Sequence, residues 1–472
     1  MIIASRQRLK YVMCDLLSSE VAVLLFDIYR YYADDMIQRN SVALDHYLCF
    51  KMLVLGQIFI PLMMMGLYYL SGYYNKVVVK SRINELITTL KTAFFGTLVV
   101  FFVQLINDLS SDRVHDYLLF LILFALLFGL VYIPRVIITS RQISRVRREK
   151  VSFPALIVGF SAVDGLREKL VSIHHTTGLE AVAYVDASGR GDFRLPGCKA
   201  VAIDAVADYI AQAGIGNVVI LEHPDGAERL LPVIYGFLPM DVAVYLLADR
   251  SDLLMQRTKL SNVTGEPLIE VSCTNMPQST VNIKRVSDIV AGLLALALLL
   301  VPMCIIGIAV KLDSKGPVIY RQRRIGYRRR PFDIFKFRTM RTDAEADGHP
   351  MLSAQHDMRV TRVGRVLRKY RLDELPQFFN VVRGDMSIVG PRPEREYYIQ
   401  QIVERAPFYT LLHQVRPGIT SWGMVKYGYA TSVEEMIERM RYDLLYIENI
   451  SFAVDMKIIM HTVVTVVSGK GL

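Results

Sequence analysis

The apolar stretch VAGLLALALLLVPMCIIGIAV, residues 290–310, decides how this chain is arranged, because everything after it lies on one side of a membrane or the other. Its 21 residues are enough for a helical membrane span, which needs ~20. Two features argue against a crossing. Lys284 and Arg285 precede the stretch and Lys311 follows it, so both flanks are basic. Pro302, near its middle, removes a backbone hydrogen bond and kinks a helix. We therefore predict a re-entrant helix that enters, bends at Pro302 and returns to the same face.

Upstream, four further apolar segments predict a transmembrane bundle over residues 1–150: 12–32, 50–70, 86–106 and 117–138. Hydrophobic residues make up 52% of the chain, which favours a membrane protein. The first segment also carries Asp15, Glu20 and Asp27. These acids either face neighbouring helices, which we prefer, or line an ion or substrate path, as in a transporter. A transporter is disfavoured by the few spans and the large soluble remainder.

Basic residues set the orientation of this bundle. They concentrate before the first segment, between the second and third, and after the fourth, so both ends of the bundle are expected in the cytoplasm. The first segment lacks a small-residue cleavage site, so no signal peptide is expected. The net charge of +10 fits an anionic cytoplasmic leaflet and phosphorylated substrates better than nucleic acid. None of the five cysteines forms a Cys-x-x-Cys pair, which disfavours disulfide and zinc frameworks.

Residues 151–275 predict a Rossmann-like α/β domain. Short apolar runs at 153–159, 181–186, 217–222 and 242–247 are typical of buried strands, and helical patterns lie between them. The turn after the first run is Gly159-Phe-Ser-Ala-Val-Asp and lacks Gly-x-Gly-x-x-Gly. We therefore expect a structural or regulatory role rather than dinucleotide binding, and the sequence leaves open whether the domain has a ligand.

Within residues 280–472, the strongest chemical signal is the adjacent acid pair Asp373 and Glu374, set among basic residues in RLDELPQ and followed by GDMSIVGPRP with Arg392. Nearby arginines or a divalent cation would keep both acids ionised. The alternative is a solvated pair at a helix start. A carboxylate pair in a basic pocket suits chemistry on phosphate.

Two further cations, Lys336 and Arg338, lie in IFKFR (residues 334–338), where alternation predicts a strand with both on one face, as a phosphate clamp requires. Four arginines recur every third residue on a predicted helix and form a basic stripe: Arg359, Arg362, Arg365 and Arg368. A surface that faces anionic lipid accounts for most of them, and Arg368, five residues before Asp373, is the exception.

These motifs resemble the bacterial sugar transferases, the monotopic polyprenyl-phosphate glycosyl-1-phosphate transferases. The matches are KFRTM at 336–340, DELPQ at 373–377, GDMSIVGPRP at 384–393 and RPGIT at 416–420, all in the family's order. The resemblance implies that Asp373 is the nucleophile and that Glu374 binds Mg²⁺. It places Arg368 and Arg392 on substrate phosphates. The chain departs from the commonest family pattern at TSWGMVKY, residues 420–427, so the identity of the sugar does not carry over.

The sequence thus predicts a protein with a four-helix transmembrane bundle, a Rossmann-like α/β domain, a re-entrant membrane helix and a mainly helical catalytic domain on the cytoplasmic face. The resemblance implies an enzyme of the bacterial inner membrane. It would transfer a sugar-1-phosphate from a nucleotide sugar, expected to be a UDP-sugar, to undecaprenyl phosphate, the first membrane step of exopolysaccharide, capsule or O-antigen synthesis. The alternative is a non-catalytic scaffold or regulator of polysaccharide assembly. The sequence leaves open the sugar, the pathway and the oligomeric state, a homo-oligomer included.

Overall fold

The computed structural model describes residues 2–33, 43–75, 82–107, 113–148, 151–161, 165–188, 190–221, 227–237, 240, 242–247, 268–270, 276–341 and 358–468. Contacts between Cα atoms divide the chain into two compact units. One comprises Met1–Ser152, Ile173–Gly178 and Pro277–Ile283, and the other Phe153–Ser172, Leu179–Met276 and Lys284–Leu472. The domain boundaries expected from the sequence stay predictions.

The first unit is a helical bundle, with α1 packed on α3 and α5, and α4 packed on both α3 and α5. Its helices are α1 (Ile2–Ala33), α2 (Leu44–Leu48), α3 (Lys51–Leu70), α4 (Arg82–Asn107) and α5 (Arg113–Arg147). Three of the four predicted spans lie in helices long and apolar enough to cross a membrane: α3, α4 and α5. The first predicted span lies in α1, whose acidic residues make it less apolar than the other three.

Two of those three acids, Asp15 and Asp27, face neighbouring helices, as preferred above. Asp15 is fully buried and receives two hydrogen bonds of 2.7 Å from the Arg135 guanidinium on α5. That guanidinium also lies over the rings of Tyr68 and Tyr73, at 4.1 and 3.7 Å from their centroids. Asp27 accepts a hydrogen bond of 2.6 Å from Gln57 on α3. Buried charges need such partners, because an unpaired one in an apolar medium is costly. Glu20, by contrast, is exposed.

The second unit begins with the α/β fold. Six strands pair in the order β3-β2-β1-β4-β5-β6, parallel except for β6, which runs antiparallel to β5. The strands are β1 (Phe153–Gly159), β2 (Leu179–Asp186), β3 (Lys199–Ala200), β4 (Asn217–Leu221), β5 (Ala243–Leu247) and β6 (Leu268–Glu270). The helices between them are α6 (Leu166–Thr177), α7 (Val206–Ala213) and α8 (Ala227–Phe237). The parallel α/β sheet is confirmed; β3 and β6 were missed because two- and three-residue strands carry too little alternation.

One aromatic ring of this fold lies at the carboxyl end of β1. Phe193 is buried and packs on Gly159 so closely that a Cβ there would lie 2.4 Å from its ring. At the end of the neighbouring strand, Asp186 accepts hydrogen bonds from the backbone N–H groups of Ser188 and Gly191. In open parallel sheets, ligands bind outside these strand ends. In this protein the ring of Phe193 fills part of the position outside the carboxyl end of β1.

The rest of the second unit is mainly helical, as expected, with two small sheets. Its elements are α9 (Gln278–Asp313), β7 (Ile319–Ile325), β8 (Pro331–Phe337), α10 (Arg362–Lys369), α11 (Gln377–Arg383), β9 (Ser387–Val389), α12 (Glu396–Arg405), β10 (Gly418–Thr420), α13 (Trp422–Lys426), α14 (Val433–Glu448) and α15 (Phe452–Val467). Strands β7 and β8 form an antiparallel hairpin, whereas β9 and β10 pair in parallel. A core of α12, α14 and α15 side chains, including Ile399, Met440 and Ile458, lies against β9.

Helix α9 contains the stretch that decides the topology. It is one helix of 36 residues that continues through Pro302, and it is long and apolar enough to cross a membrane. Its side chains around Pro302, such as Leu298, Val301 and Ile305, are exposed, as suits a surface facing lipid. The re-entrant bend stays a prediction.

Candidate active site

Asp373 and Glu374 lie in a single 3-10 turn, Leu372–Glu374, between α10 and α11. The turn begins after Arg371, whose backbone is left-handed with φ 53° and ψ 24°. This reversal ends the run of α10 and turns the acid pair inward. Asp373 and Glu374 are consequently only 8% and 5% exposed, so the solvated-pair alternative does not describe them.

Glu374 is held by cations from two other elements. Lys336 on β8 donates from Nζ to Glu374 Oε1 over 2.9 Å, and Arg392 Nη2 lies 3.4 Å from the same oxygen. Burial alone would raise the pKa of Glu374, but Lys336, Arg392 and Arg371 together lower it below its usual range. Glu374 is therefore ionised at neutral pH.

Asp373 has the opposite balance. Burial raises its pKa, the charge of Glu374 adds to that effect, and Lys336 and Arg368 oppose it. Arg368 is positioned by a hydrogen bond of 2.9 Å from its Nε to Thr339 Oγ1. The structure thus brings Lys336, Arg368 and Arg392 to the acid pair, as the sequence indicated.

Arg338 has other partners. Its guanidinium donates to the carbonyl oxygens of Ser314 and Pro317 over 2.6 and 2.7 Å, and to that of Val310 over 3.2 Å. Val310 lies in the last turn of α9, where backbone carbonyls have no partner within the helix. Arg338 thus caps the end of α9, and the two cations expected to point together have different partners. A role in substrate binding stays a prediction.

The loop that carries Arg392 is fixed by the closest main-chain approach in this region. Gly390 N donates to Thr420 O over 3.0 Å, and Gly418 N donates to Pro391 O over 2.9 Å. A Cβ on Gly390 would lie 2.3 Å from the carbonyl oxygen of Arg416. Only glycine allows this contact, which explains the residue that precedes Pro-Arg-Pro.

Two residues near the acid pair, Tyr429 and Arg371, were assigned no role from the sequence. Tyr429 follows α13, and its ring lies under both the Arg371 and the Arg392 guanidinium groups, 5.0 and 5.4 Å from their central carbons. Burial raises the pKa of Tyr429, so the phenol is neutral at neutral pH. Two of the basic residues that flank the pair in sequence lie elsewhere: Lys369 is exposed, and Arg383 pairs with Asp385.

The segment that departs from the family pattern has a structural role in part. Ser421 is buried and caps α13 by accepting a hydrogen bond from Met424 N. Gly423 N donates to Asp443 Oδ1 over 2.8 Å, and burial raises the pKa of Asp443 to about 6. Lys426 is exposed and lies over the ring of Trp422.

The carboxylates of Asp373 and Glu374 are the side chains of this site that could bind a metal ion. Among the residues that the structure describes, no group of three or more His, Cys, Asp or Glu side chains could hold a metal ion by itself. Asp373 and Glu374 are two buried acids in one turn, and Mg²⁺ binds through one or two carboxylates together with substrate phosphates. The pair therefore fits Mg²⁺ that is shared with a diphosphate.

The candidate site is thus a buried carboxylate pair with cations around it, beside a long apolar helix. Comparison with known proteins shows the family to which the chain belongs. Residues 279–469 match the family described as bacterial sugar transferase. A UDP-glucose:undecaprenyl-phosphate glucose-1-phosphate transferase of Caulobacter vibrioides is 43% identical over 40% of this chain and 71% of its own length. This chain belongs to the bacterial sugar transferase family.

Two longer relatives match more of the chain. The UDP-N-acetylgalactosamine-undecaprenyl-phosphate N-acetylgalactosaminephosphotransferase of Aeromonas hydrophila is 39% identical over 49% of this chain. The UDP-glucose:undecaprenyl-phosphate glucose-1-phosphate transferase of Escherichia coli K12 is 40% identical over 54%. The alignments cover 53% and 55% of these relatives, so the chain spans about half of their length.

Proposed function

We propose that this protein transfers a sugar-1-phosphate from a nucleotide sugar to undecaprenyl phosphate, with Asp373 as the nucleophile. The observation that carries the proposal is the buried pair Asp373–Glu374, which meets Lys336, Arg368 and Arg392 beside an apolar helix. Such a site can hold an anionic donor, exclude water and meet a lipid acceptor. The relatives' names supply UDP-sugars and undecaprenyl phosphate as the substrate classes to test.

The reaction balances in two steps. A carboxylate oxygen of Asp373 attacks the sugar-proximal phosphorus, the bond from that phosphorus to the bridging oxygen breaks, and the nucleoside monophosphate leaves. The phosphosugar is then joined to Asp373. A phosphate oxygen of undecaprenyl phosphate attacks the same phosphorus, and the Asp373 carboxylate is released. The raised pKa of Asp373 makes its carboxylate a better nucleophile than an ordinary one.

The surrounding side chains bind and orient the donor. Arg368 lies close enough to Asp373 to lower the pKa of its carboxyl group, and Arg392 and Lys336 contact Glu374. All three cations are therefore available to bind phosphate oxygens of a donor at the acid pair. Glu374 would hold Mg²⁺, which when bound offsets negative charge on the phosphates.

The location of the site is part of the proposal. Helix α9 is re-entrant, and the catalytic part lies in the cytoplasm at the inner membrane. The support is the basic residues at both ends of the apolar stretch, the central Pro302 and the soluble donor. Cysteine probes near Lys284 and Lys315 should both react from the cytoplasmic side only. Labelling from opposite sides would contradict the re-entrant helix.

Release of nucleoside monophosphate tests the reaction. Full-length protein in detergent is mixed with undecaprenyl phosphate, Mg²⁺ and a panel of UDP-sugars. We expect UMP and an undecaprenyl-diphosphate sugar with one of them. Absence of release across a wide panel of nucleotide sugars would favour the non-catalytic scaffold. The same panel decides which sugar is transferred, since the relatives named above use two different ones.

A further inference from the structure

The surroundings of Glu374 hold more positive charge than the two carboxylates balance. Lys336 and Arg392 contact Glu374 directly, and Arg371 and Arg368 act on the pair from close by. Four cations thus surround two carboxylates. Concentrated like charges in a half-buried site cost free energy unless an anion joins them. The site is therefore built for a ligand with at least two negative charges.

The reaction proposed above assigns no role to Arg371, one of these four cations. Of the residues that the structure describes, only Arg328, Arg329 and Arg371 have a positive φ without being glycine. A left-handed backbone conformation at a residue other than glycine costs about 1–2 kcal/mol. Such conformations persist where the surrounding structure requires them. The Arg371 Nε is also buried with no hydrogen-bond partner among the described residues. The left-handed backbone of Arg371 and the unpartnered Nε atom of its side chain together indicate that this residue contacts a ligand.

The ring of Tyr429 aligns this arginine with a second one. The central carbon of Arg371 is 5.0 Å from the ring centroid and that of Arg392 is 5.4 Å from it. A guanidinium group that lies over an aromatic ring is attracted to the ring face, and the N–H donors at its edge stay available for other partners. Tyr429 thus lies against both guanidinium groups, near Glu374, the carboxylate that would hold Mg²⁺.

We propose that Arg371 and Arg392, aligned by Tyr429, bind the second phosphate of the donor, the one that leaves with the nucleoside. Arg368 lies near the attacking Asp373, so it serves the phosphate that is attacked. Arg371 acts instead on Glu374, one residue further along the turn. This assignment rests on the proposed function and adds to it a specific subsite for the nucleoside monophosphate, with Arg371 and Tyr429 as its specificity-determining residues.

Removal of the Arg371 charge tests the subsite. Arg371→Asn suits the left-handed backbone, because asparagine adopts it readily, and Arg371→Gly suits it better still. Each should raise the KM for the UDP-sugar and the inhibition constant of UMP roughly 10- to 100-fold, the effect of losing a charge-assisted hydrogen bond. The KM for undecaprenyl phosphate should stay within twofold. Direct binding of UMP by calorimetry gives a readout that is independent of turnover.

Variants of the ring and of a neighbouring cation complete the test. Tyr429→Leu removes the aromatic face and should weaken UMP binding, whereas Tyr429→Phe keeps the face and should bind UMP more tightly than Tyr429→Leu does. Lys369→Ala removes an exposed cation two residues from Arg371 and should change nothing. Equal UMP affinity in the wild type and in both Arg371 variants would overturn the subsite. If the wild type releases no nucleoside monophosphate from any donor, the proposed function fails first, and calorimetry with UMP still decides whether an anion binds at Arg371.

Discussion

Two adjacent carboxylates have opposite electrostatic environments at this site. Glu374 contacts two cations and is ionised, while Asp373 is buried with less compensation and has a raised pKa. Environments that push the pKa values of neighbouring acids apart give them separate roles. A metal ligand must be ionised, and a nucleophile benefits from higher basicity. The packing around each residue therefore supports the separate roles proposed above for Asp373 and Glu374.

The covalent role of Asp373 has a direct test. Asp373→Asn should lower turnover by about 10³-fold or more, because a neutral amide cannot act as the nucleophile. Intact-mass analysis of the wild type with donor alone should show a phosphosugar adduct that the variant lacks. Asp333→Asn, at an exposed position of β8, is the matched control and should retain activity. Robust turnover by Asp373→Asn would exclude the covalent mechanism.

The raised pKa of Asp373 also predicts how the rate depends on pH. Only the carboxylate attacks, so the rate of adduct formation should fall as the pH drops through the raised pKa. This fall should occur above the ordinary aspartate value of about 3.9. Arg368 lowers the pKa of Asp373, so Arg368→Gln should move the fall to higher pH. The pH dependence of adduct formation is measured as single-turnover rates between about pH 4 and 9, the range in which carboxylate and imidazole groups titrate. Arg365→Gln, on the exposed face of α10, should leave the profile unchanged.

At the scale of elements, helix α9 organises both sides of the site. Near its beginning, Arg285 donates to the carbonyl oxygens of Val381 and Val382, which lie in the last turn of α11. Asp288 accepts hydrogen bonds from Ser387 Oγ and Ile388 N on β9. At its end, Arg338 caps its carbonyls and Asp313 accepts from the N–H of Val363 in α10. The long apolar helix α9 thus supports the elements that hold the acid pair.

This support predicts different effects for the two cations of β8. Arg338→Met leaves several carbonyls without their charged donor and should destabilise the protein by about 3 kcal/mol, seen as a lower thermal midpoint in detergent. Lys336→Met should leave the midpoint nearly unchanged and lower kcat/KM for the donor. Arg321→Met, an exposed arginine on β7, is the control for both measurements. An Arg338→Met variant of normal stability with a selective rise in donor KM would favour the phosphate clamp.

The elements also show where sequence reasoning ends. The acid pair and Arg392 were found because they lie in the motifs DELPQ and GDMSIVGPRP. Arg368 was found through the family resemblance, and Lys336 because strand alternation gives the direction of its side chain. Arg338 follows Lys336 by two residues, but its partners depend on where α9 ends, which local periodicity does not specify. Tyr429 lies in a loop after α13, and only the tertiary fold brings it to Arg371. The strands of the α/β sheet were visible as apolar runs, except the two shortest.

At the scale of the whole molecule, the bundle depends on a buried ion pair rather than on apolar packing alone. Arg135 and Asp15 are both fully buried, and Tyr74 and Thr89 add hydrogen bonds to the pair. Nearby, Glu85 accepts from Thr139 over 2.9 Å and from Tyr73. The polar network joins α1, α4 and α5 with the turn that follows α3.

Loss of one partner should therefore be severe. Arg135→Met leaves the Asp15 carboxylate buried and unpaired, at a cost of about 3–5 kcal/mol. Asp15→Asn combined with Arg135→Met should recover part of that loss, because no unpaired charge then remains. Thermal unfolding in detergent compares the variants, with Arg141→Met at an exposed position of α5 as the control. Strictly additive effects of Asp15→Asn and Arg135→Met would show that the pair does not act as a unit.

The same ion pair has a consequence for how the protein is made. Asp15 and Arg135 are 120 residues apart, so the first helix leaves the ribosome long before its partner exists. Until then the Asp15 carboxylate lacks its charged partner. Assembly of the bundle is thus completed only when α5 has been synthesised. Chains truncated after residue 107 should be degraded faster in cells than chains truncated after residue 148, and Asp15→Asn should reduce that difference.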